Sequence, residues 1–408
     1  MLSQATKANI AALLVPPEAR LSRDRAKNFT ETRCKVMRVT VERAALLKAL
    51  GHVHRVVERR NTIPILSNVL LRADEGSLRL KATDLDIEVT ETIPAEITEA
   101  GSTTVPAYMI YDIVRKLSDG AQVSLEMTPD MGQMQIRSGR SRFMLQALPE
   151  SDFPDLAAGD LPHRFTLAAS DLKRLIEKTQ FAISTEETRY YLNGIYLHTL
   201  DVGGSVVMRA VATDGHRLAR IEIPAPTGSE GMPGVIVPRK AVAEIVKLVE
   251  DGSENVTVEL SSAKVRLTFD GVVLTSKLID GTFPDYQRVI PTGNDKVLVV
   301  ERNDFSKAVD RVSTISSERG RAVKLALNDG RLTLTVNNPD SGSATEEIEV
   351  DYDATPIDIG FNARYLLDIT AQLDGDTALF KLADPGSPTI VQDREGASAL
   401  YVLMPMRV

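Results

Sequence analysis

TTVPAYMIYDIVRKL at residues 103–117, VIVPRKAVAEIVKLV at 235–249 and IGFNARYLLDITAQL at 359–373 are one pattern written three times. In the first two, a short strand-like run with a valine leads to Pro106 or Pro238 at a helix start, and Ile-Val follows at the same depth. Asn362 takes the proline's place in the third. Successive copies lie about 130 residues apart, a period that marks whole modules rather than short stacked repeats.

A second landmark runs in step with the first. SDFPDL at 151–156 returns as GTFPDY at 281–286, each closing a strand-rich stretch, RFMLQALPE in one case and VVLTSKLID in the other. The final ALYVLMPMRV at 399–408 takes the corresponding place in the third copy. Each copy also begins with an earlier amphipathic helix. Its inward face is Leu46, Leu47, Leu50 and Val53 in the first copy, and Leu172, Leu175, Ile176 and Thr179, with Ser170 as N-cap, in the second. In the third it is Phe305, Ala308 and Val312, behind Asn303. Between the helices, SLRLKATDLDIEVTETI (77–93) and RLTLTVNN (331–338) alternate with period two and are bounded by Asp-Glu-Gly or Asn-Asp-Gly turns. The expected class is α+β: three similar modules, each of two helices and antiparallel strands, at 37–156, 163–286 and 287–408. The six helices are expected at 42–57, 106–118, 170–184, 238–250, 302–316 and 362–374.

At 408 residues the chain exceeds what one core organises, and 43% hydrophobic with 25% charged residues is the make-up of a soluble globular protein. The single cysteine, Cys34, excludes an intramolecular disulfide and a cysteine-rich metal cluster, which fits a reducing, cytoplasmic setting. The apolar run Ile10 to Val15 is far short of the roughly 18–20 residues of a spanning helix and stops at Pro16-Pro17. Residues 1–36 carry seven Lys or Arg against three acids and no periodicity. Two readings stay open for them, a flexible tail or an over-extended start with Met37 as the true first residue.

Signatures of catalysis are missing. No glycine precedes a lysine and no two glycines are spaced G-x-G, so neither a P-loop nor a dinucleotide fingerprint is present, and G-x-S-x-G and H-E-x-x-H are absent too. His52 and His54, two apart in a helical pattern, point about 200° from each other and cannot share a metal; solvated or capping roles are expected. Asp84 and Asp86, read as alternate positions of a strand, form the best magnesium candidate, with no phosphate-binding partner near in sequence. In Ala212–Leu218 an Asp-Gly-His suggests acid–base chemistry but lacks a nucleophile, so a tight strand turn displaying His216 and Arg217 is the better reading. No enzyme activity, cofactor or metal is expected.

The formal net charge of −8 repels nucleic acid unless positive charge is segregated. The six expected helices carry a net +5, leaving −13 elsewhere. Helices gathered on one side of a sheet layer would give a basic surface on an acidic protein. Arg59-Arg60 and the RSGRSR run at 137–142 add basic loops suited to phosphate contact without base reading.

Taken together, RRNTIPILSNVLL (59–71), RSGRSRF (137–143), the two Phe-Pro-Asp junctions, RYYLNG (189–194), ATDGHRLA (212–219), VPRKAV (237–242), IGFNARYLLD (359–368) and YVLMPMRV (401–408) resemble the bacterial sliding clamps, the beta subunits of DNA polymerase III. The resemblance runs from Met37 to Val408. It implies a DNA-clamp fold that closes as a six-module ring in a head-to-tail homodimer, with helices lining a hole that duplex DNA threads unread. It implies as partners the DNA polymerase III catalytic subunit, a clamp loader, and other polymerases and repair factors, each bringing a short, partly apolar peptide, and no membrane. The peptide cleft would lie between the second and third modules, at Leu192, Thr213, Gly215, His216, Arg217, Leu218, Pro284, Arg288, Val289, Asn362, Tyr365, Val402, Met404, Pro405, Met406 and Arg407. Methionines make such a surface adaptable, while Arg217, Arg288 and Asn362 would satisfy peptide polar groups. DNA contacts would fall on Arg60, Tyr190 and Tyr191, with Arg115, Arg239 and Lys240 counted beside them. At the dimer seam Phe143 and Leu145 would meet the helix end near Ile315. Tyr108, Glu186-Glu187 and Thr314 depart from what the resemblance leads one to expect at those positions. Two alternatives from other classes are a peptide-binding repeat scaffold that never encircles DNA and a metal-dependent phosphotransferase using Asp84 and Asp86.

Overall fold

The computed structural model describes residues 37–128, 132–156, 159–250, 252–316 and 322–408; the N-terminal tail, with Cys34, lies outside them. One element order recurs three times. The first run is β1 (Arg38–Glu42), α1 (Arg43–Val53), β2 (Asn68–Asp74), β3 (Ser77–Thr83), β4 (Ile87–Pro94), β5 (Glu96–Glu99), β6 (Gly101–Pro106), α2 (Ala107–Arg115), β7 (Gln122–Thr128), β8 (Gln133–Ser138) and β9 (Ser141–Gln146). The second omits a counterpart of β5: β10 (His163–Ala168), α3 (Ala169–Gln180), β11 (Gly194–Val202), β12 (Ser205–Thr213), β13 (Arg217–Pro224), β14 (Val235–Pro238), α4 (Arg239–Glu250), β15 (Asn255–Leu260), β16 (Lys264–Thr268) and β17 (Val272–Lys277). The third repeats the second: β18 (Lys296–Glu301), α5 (Arg302–Ser313), β19 (Ala322–Asn328), β20 (Arg331–Asn338), β21 (Gly342–Glu349), β22 (Ile357–Asn362), α6 (Ala363–Thr370), β23 (Thr377–Leu382), β24 (Thr389–Gln392) and β25 (Ala399–Leu403).

Helices start where strands stop. The residues before α1, α3, α5 and α6 have extended backbone (φ −61 to −68°, ψ 119 to 139°), which is also the geometry an N-cap requires, so a strand feeds a helix without a loop. Caps therefore fall on strand ends. Glu42 accepts from Ala45 N at 2.9 Å and Glu301 from Asp304 N at 2.6 Å, while Asn362 accepts from Arg364 N at 3.0 Å. Ser170 and Asn303, expected as caps, sit inside the first turn instead, and Ala168 precedes α3 with no side-chain cap. The apolar faces are as the 3.6-residue period dictates, with Leu172, Leu175, Ile176 and Thr179 buried in α3, and Phe305, Ala308, Val309 and Val312 in α5. Phe305 is wholly buried 5.2 Å from the Phe380 ring; emptying such a site costs about 3–5 kcal/mol.

All strand pairings among the described residues are antiparallel, in sheets ordered β5-β1-β7-β8-β9, β10-β15-β16-β17-β4-β3-β2-β6, β14-β11-β12-β13-β25-β24-β23-β18 and β21-β20-β19-β22. Both eight-stranded sheets cross a module boundary. β4 of the first module pairs with β17 of the second, Ile87 opposite Ser276 and Glu91 opposite Val272. β13 of the second pairs with β25 of the third, Arg217 opposite Leu403 and Ile221 opposite Ala399. The strands left without a second neighbour include β9 in the first module and β21 in the third.

The histidine expectations need correction at one position. His54 follows α1, its Nδ1 donating to Leu50 O at 2.7 Å, a capping role. His52 is neither solvated nor a cap: it is buried, with Nδ1 2.6 Å from Glu91 Oε2 on β4, because the helix face it occupies packs on that strand.

Candidate functional site

The turn Thr213–Arg217 shapes the site. Thr213 Oγ1 donates to Arg217 O (2.7 Å) and accepts from Gly215 N (3.1 Å), and Asp214 Oδ1 accepts from His216 N (2.9 Å) and Arg217 N (3.0 Å). Gly215 has φ +90°, and a Cβ on it would come within 2.5 Å of Arg189 Nη1, so glycine suits both the backbone and the space. Thr83–Ile87 builds the same turn: Thr83 Oγ1 donates to Ile87 O (2.8 Å), and Asp84 Oδ1 accepts from Asp86 N (2.9 Å) and Ile87 N (2.7 Å). Asp84 and Asp86 thus lie on a turn rather than on alternate strand positions. Asp84 is also paired with Lys240, and Asp86 with Lys277 at 3.0 Å, which corrects the magnesium reading. Among the described residues no group of three His, Cys, Asp or Glu side chains is placed to hold a metal.

Beside the Thr213–Arg217 turn opens a cavity of about 320 Å³. It is lined by Leu192, Thr213, Gly215, Arg217, Leu218, Pro284, Val289, Val402 and Met404 from the expected set, and also by Arg189, Tyr191, Asp285 and Tyr286. Leu218 and Val402 face each other in register across the joint between the second and third modules. Pro284 to Val289 come from the strap joining those modules, and Met404 is fixed by its N–H donating to His216 O at 2.9 Å. Beneath lies a small apolar cluster separate from the main core, including Val211, Leu218, Ile236, Phe283, Tyr286, Leu400 and Val402. Val289 and Met404 stay exposed as apolar lips, the kind of surface that closes on a ligand.

Other expected cleft residues do different work. Arg217 spends its guanidinium inside the protein, on Asp214 (3.1 Å), Asp368 of α6 (2.6 Å) and Phe181 O (2.7 Å), between the rings of Phe181 and Tyr365. It braces the second module against the third rather than waiting for peptide polar groups. His216 stacks near Tyr365, whose hydroxyl burial pushes up in pKa, and Asn362 is occupied as the α6 cap. Arg288 is exposed and paired with Asp285 at 2.8 Å. Met406 and Arg407 line a different hollow with Lys324, Asp358 and Gly360; Met406 N donates to Gly360 O at 2.8 Å, and Pro405 lies between the two, half-buried. Of the four further lining residues, Arg189, Asp285 and Tyr286 lie inside the RYYLNG and GTFPDY motifs, and Tyr191 is also a DNA candidate.

An open groove gathers three of the DNA candidates: Tyr190, Arg239 and Lys240, with Asn193, Pro238, Ala243 and Ile279. Tyr190 is exposed and stands edge-on to Tyr191, so one tyrosine pair links groove and cleft. Lys240 is already paired with Glu58 (3.1 Å) and Asp84. Arg115 is elsewhere, paired with Asp112 at 2.9 Å. Arg60 is exposed on a loop that Tyr108 anchors, its hydroxyl donating to Val57 O at 2.9 Å with Arg59 over the ring. Glu186 is held by Arg189 Nε at 2.8 Å. Of the seam residues, Phe143 is partly exposed on β9 but Leu145 is buried in its own module's core, and Ile315 is half-buried, its carbonyl accepting from Asn338 Nδ2 at 2.7 Å; Thr314 is exposed.

Residues 37–157, 166–285 and 287–407 match the N-terminal, central and C-terminal domains of the DNA polymerase III beta subunit. The chain belongs to the DNA polymerase III beta subunit family. A beta sliding clamp of Caulobacter vibrioides is 57% identical over 372 residues, covering 91% of this chain and all of that protein. A DNA polymerase III subunit beta sliding clamp from Bartonella birtlesii, solved bound to griselimycin, superposes with a TM-score of 0.89 at 57% identity, over 91% of this chain and all of that one. A beta sliding clamp from Caulobacter crescentus does so with a TM-score of 0.90 at 56% identity, over 92% and all of the respective chains. Three copies of one α+β module are thus the three domains of a beta subunit. No helix among the described residues of this family member is long and apolar enough to cross a membrane.

Proposed function

We propose that the chain, a DNA sliding clamp by family, closes head to tail with a second copy into a six-module ring around duplex DNA, and that partner proteins dock a short peptide in the cleft between modules two and three. The observation that carries the ring is that the chain makes one joint twice within itself and keeps the two halves of a third unpaired. β21 occupies in the third module the place of β4 and β13, and β9 occupies in the first the place of β17 and β25. Transferring the two internal registers sets Ser343 of β21 opposite Met144 of a second copy. The charges suit that closure: β21 carries Glu346, Glu347 and Glu349, and the β8–β9 hairpin carries Arg137, Arg140 and Arg142. RSGRSR is therefore better read as half of a seam than as a phosphate-binding loop. Unpaired edges of this length invite association, and complementary charge selects the partner.

The six observed helices carry thirteen Lys or Arg against eight Asp or Glu, favouring loose phosphate contact that leaves the protein free to slide. Arg60, Tyr190, Tyr191, Arg115 and Arg239 are proposed DNA contacts, with module limits at 37–156, 163–286 and 287–408. The chain is proposed to work in the cytoplasm without catalysing a reaction, serving a polymerase, a clamp loader and repair factors. The apolar cleft with its two exposed lips is proposed to take their peptides, and griselimycin in their place. Light scattering on the purified chain tests the ring: a mass of twice 44.6 kDa supports it, and a strict monomer at micromolar concentration overturns it.

A further inference from the structure

We infer that the cleft is held in shape from beneath by a partly buried relay, Glu222–Arg209–Tyr286–His198, which makes Arg209 and His198 positioning residues for peptide recognition; this rests on the cleft being the peptide site. Tyr286 sits on the strap that also carries Pro284 and Val289 to the cleft wall. Arg209, on β12 and only 6% exposed, donates from Nε (3.0 Å) and Nη2 (2.7 Å) to Glu222 Oε2, and from Nη1 to the Tyr286 hydroxyl (2.9 Å). A guanidinium can only donate, so the tyrosine oxygen accepts from it and turns its own hydrogen to its other neighbour, His198 Nε2 at 3.0 Å. That arrangement requires a neutral imidazole with its hydrogen on Nδ1. The strap's second anchor converges on the same residue: Phe283 stacks on Tyr196 at 4.9 Å, and Tyr196 stacks on His198 at 4.7 Å.

Protonating His198 would turn the acceptor into a donor and set a second cation against Arg209. Arg209 lies opposite His198 on β12, Tyr286 meets the imidazole from the strap and Tyr196 stacks on it from its own strand, while on β13 Glu222 lies opposite Arg209 and Arg220 lies two positions before Glu222. Burial, and then Arg209, hold the His198 pKa below the ordinary histidine value. The relay is thus intact at neutral pH and fails on acidification.

The test is griselimycin binding to the full chain by calorimetry, from pH 8 down to about pH 4.5, well below the ordinary histidine range, for the wild type, Tyr286→Phe and His198→Gln. Wild-type affinity is expected to stay level through the ordinary histidine range around pH 6.5 and to fall only below it, where the imidazole finally takes a proton. His198→Gln, whose amide oxygen still accepts from the tyrosine, is expected to match the wild type at pH 8 and to stay level on acidification. Tyr286→Phe, which strands the buried Arg209 donor, is expected to bind roughly tenfold more weakly than the wild type at pH 8, a gap that narrows at the acid end, with the mass in light scattering unchanged. Full affinity in Tyr286→Phe, or the same pH profile in the wild type and His198→Gln, overturns the relay alone. Failure of the wild type to bind griselimycin overturns the cleft reading and the relay with it.

Discussion

Single residues decide more here by their partners than by their type. Arg217 is legible from its ATDGHRLA setting, but nothing local says that its charge goes to Asp368, 151 positions away. The Thr-Asp turns were half-legible in the same way, because a hydroxyl and a carboxylate that serve their own backbone look, in one dimension, like metal ligands. Half-buried histidines give a testable consequence. Burial lowers the pKa of His54, stacked on Tyr111 at 3.9 Å, and of His198. The unfolded chain therefore binds protons below about pH 6.5 that the folded one refuses, so the stability these groups contribute is complete above that value and is lost as pH falls below it. The melting temperature is expected to drop by about 2–4 °C more between pH 7 and pH 5.5 in the wild type than in a His54→Gln, His198→Gln double variant. Equal slopes in a calorimetric scan would contradict this.

Elements were the most legible level. Apolar residues three and four apart set the helix faces, and alternation set the strands, but the caps slipped by one to two residues because strands run straight into helices and Glu42 and Glu301 end the strands. Strand order was not legible, since pairing of β17 with β4 joins positions nearly two hundred residues apart. Two predictions belong at this scale. Arg142→Glu on β9 should weaken the dimer about 10- to 100-fold in sedimentation, and Glu347→Arg on β21 should restore part of that loss when both are combined; equal dimerisation of the single variant would refute the seam. Removing Met404 to Val408 takes away the lip held to His216 and the segment bonded to Gly360, and leaves β25 intact. Griselimycin affinity should fall at least about tenfold with the dimer mass unchanged, whereas loss of both would show the segment to be chiefly structural.

Across the whole molecule, three like modules still leave the two internal joints unlike one another, the joint of modules two and three lined by an apolar cleft. The equivalent place at the joint of modules one and two, under Phe153-Pro154-Asp155, is a cavity of about 400 Å³ lined by Arg72, Arg79, Lys81, Glu88 and Glu150. Aligning the two Thr-Asp turns puts Lys81 where the cleft has Val211, and Glu88 where it has Leu218. Lys81 bonds Glu88 at 3.0 Å and Asp155 at 2.5 Å, so ion pairs fill the ground that apolar side chains hold at the other joint. Repetition supplied the scaffold, and a few strand positions make one joint apolar and the other ion-paired. The same repetition leaves one joint to be made between chains, and on that rests the ring. Loading the chain onto nicked circular DNA at moderate salt, with the clamp loader and ATP, and then cutting the circle tests it most directly. Retention on the circle with rapid loss from the linear form is the predicted result; equal loss from both would contradict it.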